Sequence, residues 1–407
     1  MRVLVVSWRM PWDEASSAGR KTHNYYLKRL VAEYGKDVYL ISFAEVDDLP
    51  HCDLDKYGVS RKIIPVKMDF ASKVIRNLMS ISAKYNYDDK YGGIIQKWYL
   101  YKVMGVATEL KKSGLIPDVI VLEWTQMLFA YDGLRKIFPD AKFVSSEHDV
   151  SYLSYKRKLD YASNGKRKER AQKQYQNLRV NELAVLSKMD LIFTHNLKDK
   201  ELLVNDGIKQ SLVDWIVPYF MPCKEHYKIF EEKRNIVFFG AMARPENYLS
   251  AIWFIENVLY KLKDEKVKFY IIGGQPAKDL EKYKSERVIL TGYVDNVYDY
   301  FQKACCLVAP LVLGGGIKIK VLEGLSFGIP VITNTIGIEG IPALNKKDYF
   351  LCETPDDYIN TINGILDGNF DLGWISNNAI NLVTSTFDIE RSFNNYLSRI
   401  EKLLKRR

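Results

Sequence analysis

Short apolar runs alternate with amphipathic stretches along this chain. Arg2-Val-Leu-Val-Val-Ser7 is a β-branched run of strand length; a polar, glycine-containing stretch over 13–20 follows, then an apolar-periodic segment from Tyr25 to Tyr34. That order reads as strand, loop, helix. The same rhythm predicts strands at Asp37–Phe43, Asp118–Leu122, Lys142–Ser146 and Leu191–Thr194. A second series predicts strands at Asn235–Phe239, Lys268–Ile272, Val288–Leu290, Cys306–Ala309 and Pro330–Thr333, with a helix from about Asn247 to Lys263. Short strands without polar alternation suit parallel sheets covered on both faces by helices, so the fold class is α/β, with two doubly wound sheets in tandem.

The stretch Pro218–Arg234 carries proline and charge without apolar periodicity and is the predicted join. It divides the chain into a first domain over 1–217 and a second over 218–387. Residues 388–407 are amphipathic at helical spacing through Phe393, Tyr396, Leu397, Ile400, Leu403 and Leu404, which predicts a terminal helix docked back on the first domain.

Composition narrows the class. The 407 residues correspond to two or three domains at about 150 residues each. The 47% hydrophobic and 27% charged content matches folded globular chains and excludes collagen-like and disordered ones. No run approaches the roughly 20 apolar residues of a membrane span, and the first apolar run is too short for a secretory leader. The five cysteines, an odd number without a Cys-x-x-Cys pair, suggest neither a disulfide framework nor a zinc ribbon. A cytoplasmic location is therefore expected. The formal charge of +9 suits an anionic partner without selecting one.

The most informative window is 305–341. A buried strand ends near Pro310, Gly314, Gly315 and Gly316 follow, and a helix is predicted from about Ile317 to Phe327, stopped by Gly328 and Pro330. A glycine loop opening a helix favours phosphate, because its N–H groups are unpaired, the helix end is positive and no side chain obstructs approach. Lys318 and Lys320 are expected to add cationic donors in the first turn. Glu323, three residues after Lys320, is either the acid of a surface Lys–Glu pair or a carboxylate accepting hydrogen bonds from vicinal hydroxyls such as those of a ribose.

The string from Gly314 to Ile332 (GGGIKIKVLEGLSFGIPVI), followed by Gly337-Ile-Glu-Gly-Ile341, resembles the donor-site signature of the family-four retaining glycosyltransferases. Phe239-Gly-Ala-Met-Ala-Arg-Pro-Glu-Asn247, Ile271-Ile-Gly-Gly274 and Thr291-Gly-Tyr-Val-Asp295 are similar to neighbouring segments of that family. In the first half, Met10-Pro-Trp12 with Ala18-Gly19 resembles its first glycine loop, and Glu147-His-Asp149 its strand-end histidine. The resemblance implies GT-B architecture: two Rossmann-like domains facing across a cleft, the acceptor bound by the first and the nucleotide-sugar by the second. It implies that Glu323 holds the ribose and that the loop from Gly314 to Lys320 holds the diphosphate and sugar. Many members carry a further glutamate where this chain has Gly315, so the identity of the donor sugar does not carry over.

On this reading the chain moves a sugar from a UDP- or GDP-sugar to a glycan or lipid-linked acceptor in capsule, exopolysaccharide or lipopolysaccharide assembly. Configuration is retained, and no metal or other cofactor is expected. Lys318, Lys320, Arg244 and the loop amides would stabilise the departing diphosphate. His148, beside Asp149, is either a packed or solvated strand-end residue or, as the family pattern implies, a cleft residue near donor sugar and acceptor. Gly19 is either a turn glycine or the backbone approach to the diphosphate. Trp124 is expected to be a partly buried core aromatic and Asp53-Leu-Asp55 a solvated acidic loop. The segment 156–173 holds eight basic residues against two acidic ones, which makes it either a solvated helix face or a surface for the anionic inner face of a membrane. The competing functions are a sugar-nucleotide epimerase or hydrolase on the same scaffold, and a non-catalytic polyanion binder. Nucleic acid is not expected as a partner, because the basic residues lack the aromatic interleaving of the known recognition modules.

Overall fold

The computed structural model describes residues 1–15, 17–66, 91, 93–160, 165–223, 225–228, 233–314 and 316–405. Two compact units divide the chain: Met1–Tyr219 with Ile389–Arg407, and Phe220–Asp388.

The first unit holds strands β1 (Val3–Ser7), β2 (Val38–Glu45), β3 (Ser60–Val66), β4 (Val119–Glu123), β5 (Lys142–Glu147), β6 (Leu191–Thr194) and β7 (Val213–Trp215). All pair in parallel, in the order β3-β2-β1-β4-β5-β6-β7. Every residue of β1, β4 and β6 is buried, as expected of central strands with helices over both faces. The edge strands β3 and β7 have no counterpart in the apolar pattern, because polar residues on their exposed or half-buried positions break the run. Pro65, which cannot donate to a ladder, is tolerated in β3 because that strand lies at an edge.

The second unit repeats the arrangement with β8 (Asn235–Phe239), β9 (Phe269–Ile272), β10 (Val288–Gly292), β11 (Ala304–Ala309), β12 (Val331–Thr333) and β13 (Phe350–Leu351), in the order β10-β9-β8-β11-β12-β13. These strands also pair in parallel.

Three helix starts differ from the pattern. The helix expected from Tyr25 begins at Ala18, capped by the Ser17 side chain; its first turns bury Arg20, Thr22, His23 and Asn24, polar residues that carry no apolar signal. The helix expected from Asn247 to Lys263 runs over Pro245–Asn257, with proline in its first turn. The helix expected from Ile317 begins at Ile319 and ends at Gly328 in the left-handed conformation. Lys318 is consequently the residue before the first turn, not within it.

The helix Ile389–Leu404 belongs to the first unit. Phe393 and Ile400 are at most 1% exposed, and burial of each contributes roughly 1.5–3 kcal/mol. The Tyr396 ring lies 5.1 Å from that of Tyr26 and 4.7 Å from that of Phe193. Ser392 Oγ accepts from Val217 N at 3.0 Å, and Tyr34 donates to Glu401 at 2.7 Å. Among the described residues, no helix is long and apolar enough to cross a membrane.

Candidate functional site

In the second unit, β8 leads to β9 and β10 on one side of the sheet, whereas β11 leads to β12 and β13 on the other. Where strand order reverses in this way, the connections part and leave a crevice at the carboxyl ends of the strands. The helices Pro245–Asn257 and Ile319–Phe327 begin there, bringing the positive ends of two helices to one place. Side chains join the two connections: Lys320 donates to Asn247 Oδ1, Asn247 donates to Ala241 O at 2.8 Å, and Val312 N donates to Ser250 Oγ at 3.2 Å. Gly273, at φ 148°, faces Gly240 so closely that a Cβ there would overlap the Gly240 carbonyl oxygen.

Three cations, Arg244, Lys318 and Lys320, meet three carboxylates, Glu246, Glu323 and Glu339, in this crevice. Burial lowers the Lys320 ammonium to about 7; Glu246 and Glu323 raise it, while Arg244 and Lys318 lower it, so all five charges lie within electrostatic reach. The Lys320 Nζ also stands 4.5 Å from the centre of the Phe238 ring. Lys318 turns back to donate to Gly316 O and pairs with the buried Glu339 at 3.5 Å. Arg244 precedes the first turn of Pro245–Asn257, is exposed and pairs with Glu246. Gly314 and Gly316 have φ of 132° and 65°, and Gly315 lies outside the described residues. Glu323 sits half-buried, one turn beyond Lys318, and its charge adds to burial in raising the Tyr298 phenol. A diphosphate suits the amides and cations, and a pair of hydroxyls suits the carboxylate.

The first unit has the same reversal between β1 and β4. Glu123 ends β4, His148 follows β5, His195 follows β6, and Gly19 and His23 lie in the helix Ala18–Tyr34 after β1. His148 Nε2 lies 3.0 Å from Glu123 Oε2, and His23 Nδ1 lies 3.7 Å from Glu123 Oε1. The Trp124 ring stacks on His148 at 4.2 Å and 11°, held there by a backbone at φ 69°, a conformation rare outside glycine. The His195 ring is 4.0 Å from that of His148 and its Nε2 is 3.0 Å from Ser146 Oγ. A Cβ on Gly19 would stand 3.1 Å from His148 Nδ1, so glycine gives the imidazole its space.

Burial alone would raise the Glu123 carboxyl, but the neighbouring imidazoles of His23 and His148 outweigh it and hold it well below the carboxylate range. Burial lowers His148, against the opposing pull of Glu123, and lowers His195 more strongly. Glu147 is pushed up to about 7 by burial, against hydrogen bonds from Ser145 and Thr125.

Sequence reasoning named Gly19 and His148 but not Glu123, His23 or His195. The signal lay at the strand ends, where Leu122-Glu123, Glu147-His148 and Thr194-His195 each place a polar residue just after an apolar run. In the second unit it missed Asn247 and Glu339. Asp53 accepts from Asp13 N at 3.0 Å, and Asp55 holds Arg61 through two contacts of 2.7 and 2.6 Å. The basic segment spans the helix Ser151–Asp160 and the start of Lys166–Leu186, where Lys156, Lys168, Arg170 and Lys173 are exposed.

Residues 233–368 match the family model described as glycosyl transferases group 1. The chain is 26% identical over 223 residues to the UDP-Gal:alpha-D-GlcNAc-diphosphoundecaprenol alpha-1,3-galactosyltransferase of Escherichia coli; the match covers 49% of this chain and 56% of that relative, so the chain spans little more than half its length. Among solved structures, Anabaena HepE in complex with UDP has a TM-score of 0.66 at 12% identity, covering 99% of this chain and all of the other. The lipopolysaccharide outer core galactosyltransferase WaaB has a TM-score of 0.63 at 12% identity and 99% coverage of both chains. The second unit thus carries a glycosyl transferases group 1 domain, and the chain as a whole has the two-sheet α/β fold of these glycosyltransferase structures.

Proposed function

We propose that the protein transfers a sugar from a UDP-sugar to a glycan or lipid-linked acceptor, with retention of configuration and without a metal. The observation that carries this reading is the convergence, at the reversal point of the second sheet, of two helix starts, Arg244, Lys318 and Lys320, with Glu323 one turn further in. The donor class is supported by HepE, whose structure holds UDP, and the acceptor class by the diphosphoundecaprenol-linked substrate in the name of the Escherichia coli relative.

In the transfer, the bond from the anomeric carbon to the diphosphate oxygen breaks, and the acceptor oxygen bonds to that carbon on the same face. The acceptor proton passes to a phosphate oxygen of the leaving group. The main demand on the protein is charge stabilisation of the diphosphate, which the loop amides with Lys318, Lys320 and Arg244 supply. Glu323 accepts from the ribose hydroxyls, and the first unit, with Gly19 and His148, serves the acceptor. A lipid-linked acceptor also suits docking of the exposed basic residues of 156–173 on the anionic inner face of a membrane, at about 1 kcal/mol per residue near the surface.

The test is to incubate the chain with UDP-sugars and undecaprenyl-diphosphate-linked sugars, then to read the product's anomeric configuration by NMR. Retained configuration is expected. Inversion sinks the mechanism, and donor consumption without an acceptor product points instead to an epimerase or hydrolase. Flotation with liposomes should rise with anionic lipid content; indifference to it removes the membrane reading.

A further inference from the structure

A buried glutamate at the carboxyl end of β4 has no part in the transfer described above. Glu123 is 4% exposed, and a lone carboxylate so placed is costly unless it is paired. No lysine or arginine contacts it among the described residues; its two oxygens face two imidazoles, His148 Nε2 at 3.0 Å and His23 Nδ1 at 3.7 Å. His148 is enclosed on its other sides by Trp124, His195 and Gly19. An imidazole gripped at one nitrogen by an ionised carboxylate has only one neutral arrangement, with the proton on that nitrogen and a bare lone pair on the other.

We infer that Glu123 is a positioning residue: it fixes His148 as the Nε2–H tautomer, stacked on Trp124, so that Nδ1 beside Gly19 presents a lone pair to a sugar hydroxyl. His148 then serves as a hydrogen-bond acceptor, not as an acid. The geometry favours this over a purely structural pair. A carboxylate kept only for packing gains nothing there that an apolar side chain of the same size would not supply. The strained Trp124 backbone is likewise spent on holding a ring against His148.

The kinetic part of the test rests on the proposed transferase reading; the spectroscopic part does not. Long-range nitrogen–proton NMR on the intact chain at neutral pH should show a buried imidazole protonated at Nε2 and bare at Nδ1, absent from His148→Asn. Glu123→Leu should lose that single tautomer and lower kcat roughly tenfold or more while donor KM stays within about twofold, as expected when a histidine loses its orienting partner. Glu123→Gln, whose amide oxygen can still accept from Nε2, should recover much of both. A proton on Nδ1 of His148 in the native chain overturns the inference, as does a folded Glu123→Leu with native kcat. If Glu123→Leu does not fold, the native spectrum decides. If the native chain transfers no sugar, the function proposal fails and the spectrum still tests the tautomer.

Discussion

The two units share a strand order up to the length of the sheet, and both reverse direction beside their first strand, yet the two reversal points hold opposite chemistry. In the first unit the strand ends and the helix Ala18–Tyr34 gather imidazoles, a carboxylate and an indole: Glu123 lies between His23 and His148, and Trp124 lies against His148. In the second the same positions deliver glycines, helix starts and cations, and burial lowers Lys320 to about 7. One site packs rings and a carboxylate against one another, and the other gathers cations and carboxylates at two helix starts. The sheet supplies the place, and the residues just beyond each strand supply the chemistry.

The largest effect should come from the close approach in the second unit. Gly273→Ala places a Cβ on the Gly240 carbonyl at a φ of 148°, so stability should fall on the order of 2–4 kcal/mol, read as a drop in Tm. An unchanged Tm would mean that the two loops are not so tightly apposed.

Next in size is the division of labour between the two sites. Glu323→Ala should weaken binding of a nucleoside diphosphate by about 2 kcal/mol, roughly 30-fold by calorimetry, through loss of hydrogen bonds to a charged acceptor. His148→Ala should leave that affinity within about twofold and lower turnover by about a hundredfold. Equal losses of affinity in both variants would erase the contrast.

A smaller effect follows from Lys320. Its ammonium lies at about 7 in the unliganded chain, below the ordinary lysine value, and a bound diphosphate raises it. Binding above pH 7 therefore takes up a proton, and affinity should fall as pH rises, at most about tenfold per pH unit. Calorimetry in buffers of different ionisation enthalpy measures that uptake, and Lys320→Met should abolish it. Uptake that persists in Lys320→Met would assign the proton to another group.

The smallest expected change in stability is at the first unit's glycine. Gly19→Ala gains helix propensity of about 1 kcal/mol, set against a methyl 3.1 Å from His148 Nδ1. Tm should move by only a few degrees while kcat falls, and a native kcat would show that the space beside Nδ1 is not used.

Legibility followed burial. Central strands such as Val3–Ser7 and Asn235–Phe239 appear in the sequence as unbroken apolar runs because both their faces are covered. Ser60–Val66 and Val213–Trp215 do not, because they are edge strands with polar positions, and neither does Phe350–Leu351, which is only two residues long. The start of the helix Ala18–Tyr34 was hidden for the opposite reason: Arg20, Thr22, His23 and Asn24 are buried but polar. The candidate phosphate loop stood out because Gly314–Gly316, Lys318, Lys320 and Glu323 lie within ten residues of one another. The cluster around Glu123 did not, since its members come from four separate strand ends and helices.

The sequence by itself determined the alternation of strands and helices in two series, the glycine stop at Gly328, and the spacing of cation and carboxylate along one helix. These depend on each residue's own geometry and on neighbours within a turn or a strand. Tertiary structure alone decided that Lys320 meets Asn247, that Glu123 meets His23 and His148, and that the terminal helix closes over Tyr26 and Phe193. Those partners stand 25 to 370 positions apart, and only the order of strands in a sheet and the burial of a helix face bring them within a few ångströms.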